Sequence, residues 1–181
     1  MKKLKHLTLL TVFTILTVSC SSDDDNSGFN NDKSITVGES AYEMKSALVE
    51  HAPNSVFLSL TNKAGSELEA GLNGTTLNDL DFFSVTITSA FLTETTYDLS
   101  DMAYLNFSTE GDLIGAELEN ETTQFYLGDG TSDLRIVDGS ITITSYTEDF
   151  ISLNFNFTRN DDTEITGTYE GNFMFISNGL E

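Results

Sequence analysis

The stretch Phe150-Ile151-Ser152-Leu153-Asn154-Phe155-Asn156-Phe157 decides the fold of this chain. Its large apolar residues Ile151, Leu153, Phe155 and Phe157 fall at every second position, separated by Ser152, Asn154 and Asn156. A period of two places the two sets on opposite faces of an extended chain, so the segment is a strand with one dry and one wet side. The alternation recurs in Val56, Leu58 and Leu60, in Ile141 and Ile143 between Ser140, Thr142 and Thr144, and in Phe83, Val85 and Ile87, continuing to Phe91. Strands patterned in this way belong to antiparallel sheets that pack one face on a core.

Working outward, the last third reads as a meander with explicit turns. A strand near Ser140 to Tyr146 leads through Thr147-Glu148-Asp149 to a strand from Phe150 to Thr158. Arg159-Asn160-Asp161-Asp162 then turns the chain into a strand from Glu164 to Ile176. Asn and Asp tolerate the backbone angles of tight turns that β-branched residues resist. Gly167 and Gly171 lie inside the last strand on the same side as Ile165, Tyr169, Phe173 and Phe175, where a missing side chain permits close approach or a bulge. The curvature this implies suits an all-β fold, an antiparallel β-sandwich or flattened barrel with a C-terminal meander. Glu39 to Glu50 is also read as strand, through Tyr42, Met44 and Leu48, because its apolar face at helical spacing is weak. Burial is expected to be led by Phe83, Val85, Ile87, Leu153, Phe155, Phe157, Phe173 and Phe175.

The N-terminus has a different grammar. Lys2, Lys3 and Lys5 precede an apolar run from Leu7 to Val18, which stops at Ser19-Cys20. This is the layout of a secretory signal peptide, and the run is too short and too rich in Thr for a membrane span. Its end resembles the lipobox of bacterial lipoproteins, with Thr17 standing where that motif prefers Leu. The resemblance implies cleavage before Cys20 and lipidation of its thiol, with the several acyl chains giving durable anchoring. Ser21-Ser22-Asp23-Asp24-Asp25-Asn26 resembles the signal by which Bacteroidota send lipoproteins to the outer face of the outer membrane, which would give Asp23, Asp24 and Asp25 an export role. The run Asp138-Gly139-Ser140-Ile141-Thr142-Ile143-Thr144, with the Ile165-Thr166-Gly167-Thr168-Tyr169 strand, is similar to the C-terminal part of uncharacterised β-rich lipoproteins of Bacteroidota. Those proteins imply no catalytic residues. The expected organisation is a signal peptide at 1–19, a lipidated cysteine with a flexible acidic tether at 20–33, and a single all-β domain at 34–181.

Charge narrows the partners. The chain carries 29 acidic against 8 basic residues, a formal charge of −21, and loses three lysines with the signal. Such a surface repels nucleic acid and anionic lipid headgroups. After removal of His6 with the signal, His51 is the sole histidine and Cys20 the sole cysteine, so metal sites built from several His or Cys ligands are excluded by count, and no cofactor is expected. Leu127-Gly128-Asp129-Gly130-Thr131 has no basic residue after its glycines and reads as a hairpin turn, not a phosphate loop. Calcium is the ion the composition suits. The candidate ligands are Asp161, Asp162 and Glu164 beside Asn160, then Asp129, Asp133 and Asp138, and Asp79 with Asp81; a solvated turn is the ordinary account of each.

Two functional classes follow. The first is a non-catalytic, outer-membrane, surface-exposed lipoprotein acting as a binding or structural module toward a protein or polysaccharide. Its polar strand faces, Thr142, Thr144, Asn154, Asn156, Thr166, Thr168 and Asn172, would form one hydrogen-bonding surface if adjacent. The second is a small secreted hydrolase acting on glycans through a carboxylate pair. A pocket with converging Asp or Glu side chains would distinguish the second from the first.

Overall fold

The computed structural model describes residues 32–176; the signal peptide, Cys20 and the export residues Asp23, Asp24 and Asp25 lie outside them. The chain opens with short strands β1 (Ser34–Val37) and β2 (Ser40–Glu43), then β3 (Ser46–Ala52) and β4 (Ser55–Thr61). Pro53 falls in the turn between the last two. A helix α1 (Gly65–Leu72) precedes β5 (Leu77–Ile87), β6 (Thr96–Asp98) and the long β7 (Met102–Ile114). The remainder is strand: β8 (Glu117–Glu119), β9 (Thr122–Leu127), β10 (Ile136–Tyr146), β11 (Phe150–Arg159) and β12 (Glu164–Ile176). The all-β class holds, and β10, β11 and β12 are the expected meander, their turns at the expected residues. Asp162 closes the β11–β12 turn with φ of 64°, a left-handed angle that Asp accepts more readily than most residues.

Among the described residues the strands form one sheet of twelve, whose main path runs β6-β10-β11-β12-β3-β4-β5-β7-β8. The purely antiparallel pairing needs correction, and of the two architectures the barrel falls away. The sheet is mixed, because the end of β12 pairs in parallel with β3, Phe173 beside Ala47 and Phe175 beside Val49. It is also not closed into a barrel: among the described residues β9 and β10 form no ladder, and only an isolated bridge joins Tyr126 of β9 to Arg135, the residue before β10. The Gly128–Gly130 stretch is therefore a loop, not a hairpin turn.

The long β12 makes the fold. Its first part pairs with β11 and β1, its last four residues with β3, so one strand carries the sheet from one layer to the other. The two layers face each other over a continuous core. Phe83 of β5 stacks on Phe155 of β11, Phe125 of β9 meets Phe157 of β11, and Tyr42 of β2 meets Phe107 of β7 edge to face, although none of these strands are neighbours. Burial of Val85, Ile87, Leu153, Ile141 and Ile165 completes the interior. Gly167 is read correctly as a point of close approach: a Cβ there would overlap the Phe155 ring. Gly139, at φ of 125° beside a register shift in β10, would drive a Cβ into the Asn156 carbonyl and the Phe157 backbone.

Phe175, expected in the core, and Phe91, expected on the same strand face as Phe83 and Val85, both lie in the open. Phe91 is 70% exposed and Phe175 57% exposed. β5 ends at Ile87, so the alternation that would have turned Phe91 inward stops, and Leu92 enters the core instead. Phe175 keeps the inward side of β12 but lies at the end of the sandwich, where the opposite layer no longer covers it.

Candidate functional site

The displaced phenylalanines converge. At the end of the sandwich where β3, β10 and β12 finish, Phe91, His51, Tyr146, Phe173 and Phe175 line one concave surface of about 660 Å³, with Thr147 and Glu148 on its rim. His51 stands between the two exposed rings, 6.1 Å from Phe91 and 5.6 Å from Phe175. Tyr146 stacks on Phe173 at 5.6 Å and an interplanar angle of 14°.

Hydrogen bonds fix this cluster. His51 Nδ1 is 3.4 Å from the Ala90 carbonyl oxygen, and Nε2 is 3.1 Å from the Tyr146 hydroxyl. A carbonyl oxygen only accepts, so in the neutral ring Nδ1 carries the hydrogen and Tyr146 donates to Nε2. The first contact ties the loop bearing Phe91 to β3; the second ties the end of β10 to the same ring. Burial raises the Tyr146 phenol above its ordinary value, which keeps it a neutral donor. Glu94 accepts the Tyr146 backbone N–H at 3.3 Å. Among the described residues no lysine or arginine lines the surface. An open apolar concavity with a fixed polar hub and an acidic rim is fitted to hold a neutral or cationic partner.

The polar strand faces are brought together as the sequence suggested. Thr142 pairs with Asn154 and Asn154 with Thr168, while Asn156 pairs with Thr166, all on the outer side of β10, β11 and β12. Thr96 of β6 extends the first row, its hydroxyl 2.9 Å from that of Thr142.

Two of the acidic candidates, Asp161 and Asp81, are held by the chain's own groups. Asp161 takes a two-point contact from Arg159, at 2.7 Å to Nη2 and 3.2 Å to Nε, and accepts the Thr163 backbone N–H at 3.1 Å. These bonds, the Arg159 guanidinium first, bring its carboxyl down to about 2. Asp81 accepts the Glu110 N–H at 3.2 Å beside the irregular stretch of β5, and burial raises its carboxyl above the usual range. Among the described residues no group of three or more His, Cys, Asp or Glu side chains is placed to hold a metal ion. Asp162 and Glu164 are exposed and do not join Asp161 in such a group. Two carboxylates, Asp138 and Glu164, line one shallow pocket of about 220 Å³ on the outer face of the sheet.

Among the described residues no helix is long and apolar enough to cross a membrane. Comparison with protein-family models, with curated proteins and with solved structures finds no match to this chain.

Proposed function

We propose that this protein is a lipid-anchored module at the outer-membrane surface that binds a protein partner through the Phe91–His51–Phe175 surface and catalyses nothing itself. The observation that carries this reading is the exposure of two phenylalanines, held by a hydrogen-bonded histidine rather than left on a loose loop. Exposed apolar patches rimmed by polar groups mark interaction sites in soluble domains, and rigid aromatic side chains supply most of the energy at their centres. The patch is more apolar than a polysaccharide would require, since sugars demand many directed hydrogen bonds around each stacking ring. The anchor rests on Cys20 and the outward address on Asp23, Asp24 and Asp25.

The rival reading, a hydrolase acting on glycans, has one observation in its favour: Asp138 and Glu164 share a pocket. Both side chains are exposed on an open sheet face, which gives neither the dry environment that raises a catalytic acid nor walls to hold a sugar ring. The test of the binding reading uses labelled chain from residue 21 onward, added to cells that lack the gene. Saturable binding that disappears in the Phe91→Ser, Phe175→Ser double variant, with an unchanged melting temperature, supports it. Equal binding by the double variant refutes it.

A further inference from the structure

The aromatic concavity at the end of the sandwich carries information about the group that enters it. Phe91 and Phe175 flank His51 with their planes tilted by 44° and 37° to the imidazole, so the three rings form one curved wall. The face of a phenylalanine ring is its negative side and attracts a cation held within about 6 Å. The chain itself makes such a contact on the same strand: Lys33 Nζ lies 5.1 Å from the centroid of the Tyr169 ring, and Tyr169, Phe173 and Phe175 share one side of β12.

The rim selects the same sign of charge. Among the described residues Glu148, in the turn between β10 and β11, is the sole carboxylate lining the concavity, and no hydrogen bond or ion pair of the chain engages it. Glu94 stands beside the same strand end, but its carboxylate already accepts the Tyr146 backbone N–H. An anionic group entering here would meet Glu148 on a chain of formal charge −21, with no lysine or arginine of the lining to receive it. Of the two strongly basic side chains, arginine suits both the wall and the rim. Its planar guanidinium lies flat on an aromatic ring while N–H groups at its edge reach a carboxylate, whereas the lysine ammonium is a compact charge that keeps its water more firmly. We infer, on the reading that a protein partner docks here, that the side chain it seats against Phe91 and Phe175 is an arginine paired with Glu148.

The experiment titrates three capped peptides into chain expressed from residue 21: acetyl-Leu-Arg-Leu-amide, the same peptide with citrulline in place of arginine, and the same peptide with glutamate there. Citrulline keeps the shape of arginine and replaces the guanidinium with a neutral urea. His51 is the sole histidine of that chain, so its ring protons report the site by NMR, with the Thr144 amide on the outer polar face as control. The arginine peptide should shift the His51 signals saturably and leave Thr144 unmoved. It should bind at least about fivefold tighter than the citrulline peptide, with the glutamate peptide weaker than both. Glu148→Gln should narrow the arginine-over-citrulline ratio to about twofold, and the Phe91→Ser, Phe175→Ser double variant should show no saturable binding. The citrulline and Glu148→Gln arms leave the aromatic wall intact, so they decide the matter even where the double variant does not fold. No saturable shift with the arginine peptide, citrulline binding as tightly, a ratio unmoved by Glu148→Gln, or undiminished binding by a folded double variant would each overturn the inference. Those results leave the docking reading standing as long as the double variant loses its binding to cells, and equal cell binding by that variant refutes the docking reading itself.

Discussion

The ring of Phe83 on β5 lies parallel to that of Phe155 on β11, 4.9 Å between centroids and 9° between planes, and this stack joins two strands that sit four places apart in the sheet. It is the contact that turns a twelve-stranded ribbon into two facing layers. Since the described residues contain no cysteine, this burial is the main source of cohesion against the self-repulsion of a strongly acidic chain.

Phe155→Ala should therefore cost about 3–5 kcal/mol, measured by urea unfolding of the soluble chain. Phe83→Ala should cost a similar amount, and the double variant less than the sum, because each single change already empties the shared stack. Full additivity would show that the rings do not support each other.

Gly167 gives a sharper check. The Phe155 ring fills the space its absent side chain leaves, so Gly167→Ala should destabilise by about 1–3 kcal/mol through overpacking. Combining it with Phe155→Leu should recover part of the loss. A Gly167→Ala protein as stable as the parent would mean that the close approach is absent in solution.

The glycine and its phenylalanine were both legible in the sequence, as were β10, β11 and β12 to within a few residues, because strict alternation and Asn/Asp turns act locally. The rest depended on contacts between distant segments. The parallel pairing of β12 with β3 joins residues more than a hundred positions apart and leaves no local signature. Alternation put Phe91 on the face of Phe83 and Phe175 in the core, because it carries no information about where a strand stops or where the opposing layer ends. Helix α1 also went unread, since Gly65, Gly71 and an imperfect apolar face give it a weak pattern. One signal was available for the second apolar face, where Leu68 of α1 packs with Leu48, Leu80 and Leu113: Leu48-Val49, Val56-Phe57-Leu58 and Phe82-Phe83 are apolar on both strand faces, which marks strands covered on both sides. His51 was visible as the sole histidine of the mature chain, but its role as the hub of an aromatic surface needed the loop after β5 folded against it.

The Arg159–Asp161 pair predicts a pH dependence. Asp161 titrates near 2 in the folded chain against an ordinary 3.8, so its contribution to stability is present above the ordinary value and is lost as pH falls toward 2. Asp161→Asn should lower the melting temperature at pH 7, and the difference should shrink to a small remainder by pH 2. Because the carboxylate is already paired, millimolar calcium should raise the parent's melting temperature no more than sodium chloride of matched ionic strength. A calcium-specific rise lost in Asp161→Asn would contradict this.

Asp81 should respond with the opposite sign. Burial raises its carboxyl, so ionisation at neutral pH opposes folding, and the stability it confers relative to the unfolded chain is complete below 3.8 and lost as pH rises through its folded value. Asp81→Asn keeps an acceptor for the Glu110 N–H and should raise the melting temperature at pH 7, with the gain vanishing at pH 3. A lower melting temperature at pH 7 would show that the charge itself is needed.

Cys20→Ala should convert a detergent-extracted protein into one that is soluble or retained uncleaved, and should carry no radiolabelled fatty acid. Replacing Asp23, Asp24 and Asp25 with Ala should protect the domain from protease added to whole cells. Label on the Cys20→Ala protein, or unchanged surface digestion of the triple variant, would contradict the anchor and the address respectively.

The central claim is that the exposed aromatic surface holds a protein partner. It is tested most directly by placing a photoreactive benzoylphenylalanine at Phe91 in the lipidated protein on intact cells, with the same group at Thr144 on the outer polar face as the control. Irradiation should give a discrete adduct from position 91, absent from position 144 and destroyed by protease treatment of the partner. No adduct at 91, an equal adduct at 144, or one that survives protease and yields to glycan-cleaving enzymes would contradict it.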